Sequence, residues 1–177
     1  MESISASSFY TTEDGVSHAP TEVVMGGLGW VVDPDRDLSR ELTIKFTQPI
    51  EITGLSVFQK DVETFTVFFS EDGTNFTPYS EPGDVFTDPS TGLPVKTFQG
   101  SEFQENELGT VYFIPSTTVS YIRIKITAVD VSPGGLDLIF PTINLEVLGC
   151  HEDSPGDISY SVFFQPDAFS FMRRIQY

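Results

Sequence analysis

Apolar and polar residues alternate along most of the first 150 residues with the period of two that β-strands require. In the clearest segment, residues 121–128, three isoleucines fall on one face and polar side chains fall on the other. The same alternation marks strands within residues 42–46, 50–57, 65–69 and 143–147. Since no window shows convincing helical periodicity, the pattern predicts an all-β fold.

Local breaks in the alternation predict further features. Gly54 shifts the phase between Ile52 and Leu55, as a β-bulge does. The dipeptide Asp72-Gly73 stands between two apolar runs and predicts a hairpin. The continuous apolar run from Val111 to Ile114 predicts a short strand buried on both faces.

Turn residues separate many short strands, which is typical of a sandwich or a barrel. Three connections are much longer than turns: Phe9 to Leu42, Glu81 to Gly109 and Val129 to Thr142. Because loops of this length are usually functional or mobile, we expect them to carry the binding residues.

The charge of the chain narrows the classes of partner. Nine basic against 26 acidic residues give a formal charge of −17. A nucleic-acid-binding protein needs a basic surface to replace counterions, so nucleic acid is close to excluded as a partner. Repulsion from anionic lipids makes membrane binding unfavourable. The acidity favours cationic partners, including calcium.

Targeting signals and cysteines give weak constraints on location. The N-terminal residues contain neither a basic segment nor an apolar one, so no signal peptide is visible. A native start at Met1 would indicate a cytosolic protein, whereas an excised domain could come from an extracellular or surface protein. The single cysteine, Cys150, excludes a disulfide within the chain.

Six segments, in order, resemble motifs of the discoidin or coagulation factor 5/8 type C domains, within the galactose-binding-like superfamily. They are Ile4-Ser5-Ala6-Ser7-Ser8, Gly29-Trp30 followed by Leu42-Thr43-Ile44-Lys45-Phe46, Pro49 to Leu55, Phe69 to Tyr79, Tyr121-Ile122-Arg123-Ile124, and Leu145 to Cys150. The similarity covers roughly residues 3–150. The family's first cysteine is missing, and the loop after the strand Ile50–Val57 is short.

The resemblance implies an eight-stranded antiparallel jelly-roll β-sandwich, whose loops at one end bind carbohydrate, lipid headgroups or protein. It also implies that most matching residues are structural, with Trp30 in the core and Arg123 as an anchor of the fold. On this basis we expect residues 1–150 to form the domain.

Candidate ligand-binding residues lie on the loops that the resemblance brings to one end. They are Phe9, Tyr10, His18, Asp35, Arg36, Gln59, Lys60 and Asp130. An exposed aromatic ring can stack on the apolar face of a sugar, while acidic or amide groups accept hydrogen bonds from its hydroxyls. The alternative for Phe9 and Tyr10 is that they pack beneath their own loop.

Asp33, Asp35 and Asp37 are candidate metal ligands. Carboxylates at alternate positions of a loop suit a hard cation such as calcium, which takes about 6–8 oxygen ligands. The segment lacks the glycine and the terminal glutamate of an EF-hand loop. A solvated turn is the alternative interpretation, and no cofactor is required.

The last 27 residues, 151–177, differ in composition from the domain and are rich in aromatic side chains. Ile158, Tyr160 and Val162 alternate with serines, which predicts a further strand. That strand could pair with its own sandwich or with the sheet edge of a neighbouring molecule, or it could begin a following domain.

The leading hypothesis is a non-enzymatic module that binds a glycan or glycoprotein and acts in adhesion, with calcium as a candidate aid to binding. Two histidines, no nucleophile elbow and no phosphate-binding glycine loop leave little basis for catalysis. The alternative is a structural subunit of an extracellular or surface assembly that self-associates through residues 151–177.

Overall fold

The computed structural model describes residues 3–23, 29–33, 39–100, 109–129, 141–150 and 160–162. Within them the chain is almost entirely extended. The strands are β1 (Ser3–Ala6), β2 (Trp30–Val31), β3 (Glu41–Lys60), β4 (Val62–Ser70), β5 (Thr77–Pro78), β6 (Thr97–Gln99), β7 (Gly109–Val129), β8 (Thr142–Cys150) and β9 (Tyr160–Val162). The one helix in these ranges is a single 3-10 turn, Pro20–Val23.

Two long strands, β3 and β7, connect the layers of the sandwich. The first half of β3 lies between β1 and the second half of β7, and its second half lies between the first half of β7 and β8. The β3–β7 register shifts between Lys45 and Ile50, which separates the two halves. β4 pairs with the second half of β7 and with β5 and β6, whereas β2 and β9 pair with β8.

All of these pairings are antiparallel, as the sequence predicts. β1 to β8 lie within residues 3–150 and correspond to the eight expected strands, so the all-β prediction is confirmed. β9 is a ninth strand beyond Cys150. It pairs with β8 of the same molecule, with Val162 opposite Val147. Of the alternatives for this segment, the structure shows the strand that pairs with its own sandwich.

The core lies between the layers and is built from the alternating positions. Leu42 and Ile44 of β3, Phe65 of β4, and Ile122 and Ile124 of β7 are all at most 1% exposed. Each fully buried aliphatic or aromatic side chain contributes about 1.5–3 kcal/mol to folding. The burial pattern therefore fixes which face of each strand points inwards, because a slip of one residue would expose the whole set.

The breaks in the alternation are partly as predicted. The register between β3 and both of its neighbours shifts between Ile52 and Gly54, so the predicted bulge is present. A Cβ atom on Gly54 would lie 2.2 Å from the carbonyl oxygen of Val111, a distance that only glycine allows. The hairpin at Asp72-Gly73 is also confirmed, since Phe69 pairs with Thr77 across it.

The prediction of a strand buried on both faces at Val111 to Ile114 is wrong. Phe113 is buried, but Tyr112 and Ile114 are 66% and 72% exposed. The first half of β7 has one face on the core and the other on solvent. An apolar side chain in this segment is therefore not always a buried one. The ring of Phe113 packs on Tyr79, with centroids 4.7 Å apart.

Within the described residues, no helix is long and apolar enough to cross a membrane.

Candidate functional site

One end of the sandwich gathers the segments that the sequence marks as functional. The second half of β3 ends at Lys60, β4 starts at Val62, β7 ends opposite Val62 at Val129, and β8 starts at Thr142 opposite Lys60. We call this part of the molecule the loop end. The turn between β3 and β4 is a single residue, Asp61, with a φ of 58°.

The first long connection is fastened to the loop end through β2. The indole Nε1 of Trp30, a fully buried side chain, donates a hydrogen bond of 2.8 Å to the carbonyl oxygen of Ser8. The Tyr10 amide donates to the Val31 carbonyl oxygen, and the His18 amide donates to the Tyr10 carbonyl oxygen, both at 2.9 Å. The prediction of Trp30 as a core residue is therefore confirmed, and its side chain also positions this loop.

These bonds bring three candidate residues, Phe9, Tyr10 and His18, to one short stretch beside β2. The Phe9 side chain is 46% exposed, and Tyr10 and His18 are half-buried. Among the described residues, the buried Nδ1 atom of His18 has no hydrogen-bond partner. The exposed ring of Phe9 can contact a ligand, whereas the His18 Nδ1 atom lies below the surface and does not reach solvent.

Asp33 lies close to the same stretch. Its amide donates a hydrogen bond of 3.3 Å to the Ser8 hydroxyl, and its side chain is partly exposed. Asp35, Arg36, Asp37 and Asp130 lie outside the described residues. In the described part of the chain, no three His, Cys, Asp or Glu side chains are grouped to hold a metal ion. The calcium interpretation stays a prediction.

Gln59 differs from the expectation of a ligand-facing loop residue. Its side chain is only 6% exposed. The amide Nε2 donates to the Gly100 carbonyl oxygen at 2.8 Å, and Oε1 accepts from the Val62 amide at 3.0 Å. These bonds tie the end of β3 to the start of β4 and to the segment after β6. The geometry makes Gln59 part of the loop framework, whereas its neighbour Lys60 is exposed.

Asn144 and Gly29 shape the loop end without having been singled out in the sequence. The Asn144 side chain is buried, and its Nδ2 donates to the Glu22 carbonyl oxygen at 3.4 Å, next to the 3-10 turn. Gly29 has a φ of 84°, and a Cβ atom there would lie 2.6 Å from the Thr142 side chain. The sequence offers a signal for Asn144, because this polar amide stands between two apolar residues, Ile143 and Leu145.

A cavity of about 300 Å³ lies at the opposite end of the sandwich, beside the β4–β5 turn. It is lined by Asp72 and Asn75 on one side and by Thr117 and Thr118 on the other. Hydrogen bonds from the Asn75 and Thr74 amides and from the Asn75 side chain hold the pKa of Asp72 well below its ordinary value. These bonds organise the turn itself, so we assign Asp72 a structural role.

The architecture defines a class: β-sandwich domains that present loops from a rigid scaffold, an arrangement common among binding modules. A family model described as the F5/8 type C domain matches residues 3–136, and the chain belongs to this family. The resemblance found in the sequence motifs is thereby confirmed. No curated protein sequence matches the chain.

Solved structures share the fold at low sequence identity. An F5/8 type C domain from Bacteroides fragilis superposes with a TM-score of 0.54 at 13% identity, over 82% of this chain and 89% of that one. The CBM32 of AlyQ, solved with 4,5-unsaturated mannuronic acid, gives 0.54 at 16% identity, over 83% and 94%. The family 32 carbohydrate-binding module of C. perfringens NanJ, solved with galactose, gives 0.54 at 14% identity, over 82% and 91%.

Proposed function

We propose that this chain is a non-catalytic carbohydrate-binding module, of an extracellular or surface protein, whose site is the loop end. The observation that carries the proposal is the stretch of Phe9, Tyr10 and His18, held on β2 by backbone hydrogen bonds and by Trp30. Membership of the F5/8 type C family and the sugar complexes of two structural neighbours support it.

The chemistry of this stretch suits a sugar. The exposed ring of Phe9 offers a flat apolar surface for the C–H face of a pyranose. The carboxylate of the partly exposed Asp33 lies on the same loop end and can accept hydrogen bonds from sugar hydroxyls. Because β2 and Trp30 fix the loop in advance, little conformational entropy is lost on binding.

The first test is a glycan array with the purified chain, run in calcium and again with a chelator. We expect selective binding to a few glycans. Loss on chelation would support a calcium ion on the segment 33–37, which is part of the proposal. A blank array in both conditions would contradict carbohydrate binding.

A pair of variants then locates the site. Phe9→Ala removes an aromatic ring that is 46% exposed at the loop end, and Phe86→Ala removes one that is 65% exposed in the connection between β5 and β6. We expect Phe9→Ala to weaken binding of the selected glycan by about tenfold, since a stacked ring contributes about 0.5–1.5 kcal/mol beyond its buried area. Phe86→Ala should leave affinity unchanged, and an equal loss in both variants would refute the assignment.

A second candidate function, a structural subunit, is favoured by exposed apolar side chains. Val85 and Phe86 are 84% and 65% exposed, and Tyr112 and Ile114 are exposed to a similar degree. The Tyr79 hydroxyl accepts a hydrogen bond from the Ile114 amide and donates one to Glu81, which joins the two segments. Light scattering of the variant Phe86→Ser/Ile114→Ser tests this function, because an assembly subunit that buries these side chains should lose its oligomers and a binding module should keep its mass.

A further inference from the structure

A smaller cavity, of about 180 Å³, lies on the outer face of the sheet formed by the first half of β3, the second half of β7 and β4. Its floor is the buried side chain of Phe68. Its walls come from Thr74 and Phe76 in the β4–β5 turn and from Ser90 and Thr91 in the connection before β6. We call it the sheet-face cavity. The loop-end candidates Phe9, Tyr10 and His18 do not line it.

Two of the nine basic residues of the chain, Arg123 and Lys125, line this one cavity. Each cation is about one-third exposed and lies 3.6 Å from the same carboxylate, Glu41. That distance exceeds the 2.7–2.9 Å or so of a charge-assisted hydrogen bond. Lys125 also lies near enough to the Asp88 carboxylate to help lower the pKa of that group. Because both contacts with Glu41 are longer than a charge-assisted hydrogen bond, Arg123 and Lys125 retain N–H donors for a second anion.

Arg123 is oriented before any ligand binds. Its guanidinium carbon lies 3.7 Å from the centroid of the Phe76 ring, and its Nε donates to the Thr43 hydroxyl at 3.2 Å. A guanidinium stacked on an aromatic face loses little further entropy when it binds a carboxylate, and its planar donors match the two carboxylate oxygens. The anchoring role expected for Arg123 and a role in binding are thus compatible.

The opposite wall supplies hydrogen-bond acceptors. The Ser90 and Thr91 hydroxyls both donate to the Asp88 carboxylate. Burial raises the pKa of Asp88, but these bonds outweigh it and hold the pKa below its ordinary value, so Asp88 is ionised. The Thr91 oxygen also accepts a hydrogen bond of 3.3 Å from the Leu93 amide. Because both hydroxyl hydrogens are committed to Asp88, a ligand would donate to the Ser90 oxygen and to the second lone pair of the Thr91 oxygen.

We propose that the sheet-face cavity is a second binding site, which takes a single acidic sugar unit such as a hexuronate. The carboxylate binds between Arg123 and Lys125, and the ring hydroxyls donate to Ser90 and Thr91. A simple anion lacks those donors, and a neutral sugar lacks the charge. Pockets for drug-sized ligands have volumes of about 300–1,000 Å³. The sheet-face cavity is smaller than this range, so it can hold only one sugar unit.

The site is tested by NMR titration of the ¹⁵N-labelled full chain with sodium glucuronate, galactose and sodium sulfate in parallel. Glucuronate should shift the amides of Thr74, Phe76, Thr91 and Arg123, and the other two ligands should shift them much less. Equal shifts with sulfate would show a simple anion site, and equal shifts with galactose would show no use of charge. Either result overturns the proposal, as do glucuronate shifts confined to Tyr10 and His18.

Three variants sharpen the test, each first checked for an unchanged spectrum. Lys125→Gln should weaken glucuronate binding about tenfold, equivalent to about 1.4 kcal/mol. Lys45→Gln is the matched control, because it removes the same charge from the same sheet. The Lys45 side chain lies over the Tyr121 ring and does not line the cavity. Glu41→Gln should tighten binding, since it removes the competing carboxylate.

A purely structural role for these residues would give no gain with Glu41→Gln. Weaker binding in that variant, or equal losses in Lys125→Gln and Lys45→Gln, would refute the assignment. These measurements concern the sheet-face cavity alone. A negative result would refute the acidic-sugar site without bearing on glycan binding at the loop end, and a negative result at the loop end would not bear on the sheet-face cavity.

Discussion

Replacing Gln59 tests whether this residue belongs to the framework of the loop end or to the ligand site. In Gln59→Leu the side chain keeps a similar size and loses both hydrogen bonds of its amide, to the Gly100 carbonyl oxygen and from the Val62 amide. Val62 and Gly100 are both buried, so water cannot easily replace the lost partner. An unsatisfied buried polar group costs about 1–3 kcal/mol, and two such groups give an expected loss of about 2–6 kcal/mol.

This loss is large against the net stability of a domain, which is about 5–15 kcal/mol. Gln59→Glu should lie between wild type and Gln59→Leu, because a carboxylate still accepts from the Val62 amide but repels the Gly100 carbonyl oxygen. Gln99→Leu, at an exposed position forty residues later in β6, is the control and should change stability by less than about 0.5 kcal/mol.

Urea unfolding followed by tryptophan fluorescence measures all three variants, since Trp30 is the one tryptophan of the chain and is fully buried. The reasoning would be refuted if Gln59→Leu were as stable as Gln99→Leu. If that stable variant also lost affinity for the glycan, Gln59 would be a ligand-binding residue, as the sequence alone predicted.

Two further predictions concern backbone packing and pH. In Gly100→Ala the new Cβ atom would lie 1.7 Å from the Val62 carbonyl oxygen, so we expect a loss above about 3 kcal/mol in thermal unfolding. Gly83→Ala, with a φ of 103° and no atom within 4 Å, should lose only about 1 kcal/mol from backbone strain, and similar losses would contradict the packing argument. Because its turn lowers the pKa of Asp72 from 3.8, this carboxyl stabilises the folded state above that pH and loses its contribution as the pH falls through the folded-state pKa. The stability difference between wild type and Asp72→Asn, measured by urea unfolding, should therefore shrink on acidification from pH 7 to pH 2, and a constant difference would contradict this assignment.

The strands were predictable where one face of a strand meets the core. Ile122, Ile124 and Ile126 are buried and Arg123 lies on the other face, as their alternation indicates. The same rule failed at Tyr112 and Ile114, because composition reports what a residue prefers and not whether a second layer covers it. The sequence also did not predict that β3 and β7 each run through both layers, because this depends on pairings between segments that are distant in sequence.

The candidate site was predictable only as a set of loops. The resemblance led to the expectation that Phe9, Tyr10 and His18 lie at the loop end, and the structure brings these three together there. It could not distinguish Gln59 from Lys60, because adjacent residues of a strand point in opposite directions and burial depends on the packing of Gly100. The sheet-face cavity arises from four segments between residues 41 and 125, which no local motif connects.

The central claim is that the loop end binds a glycan, and NMR titration of the ¹⁵N-labelled chain with galactose, the ligand of one structural neighbour, tests it most directly. We predict saturable shifts at the amides of Phe9, Tyr10, His18 and Val31, with the amides of Ser70 to Asn75 unchanged at the opposite end. Galactose is one candidate glycan, so a sugar selected on the array takes its place if galactose gives no shifts anywhere. Saturable shifts confined to residues 70–75, or none at the loop end with any array-selected sugar, would contradict the account.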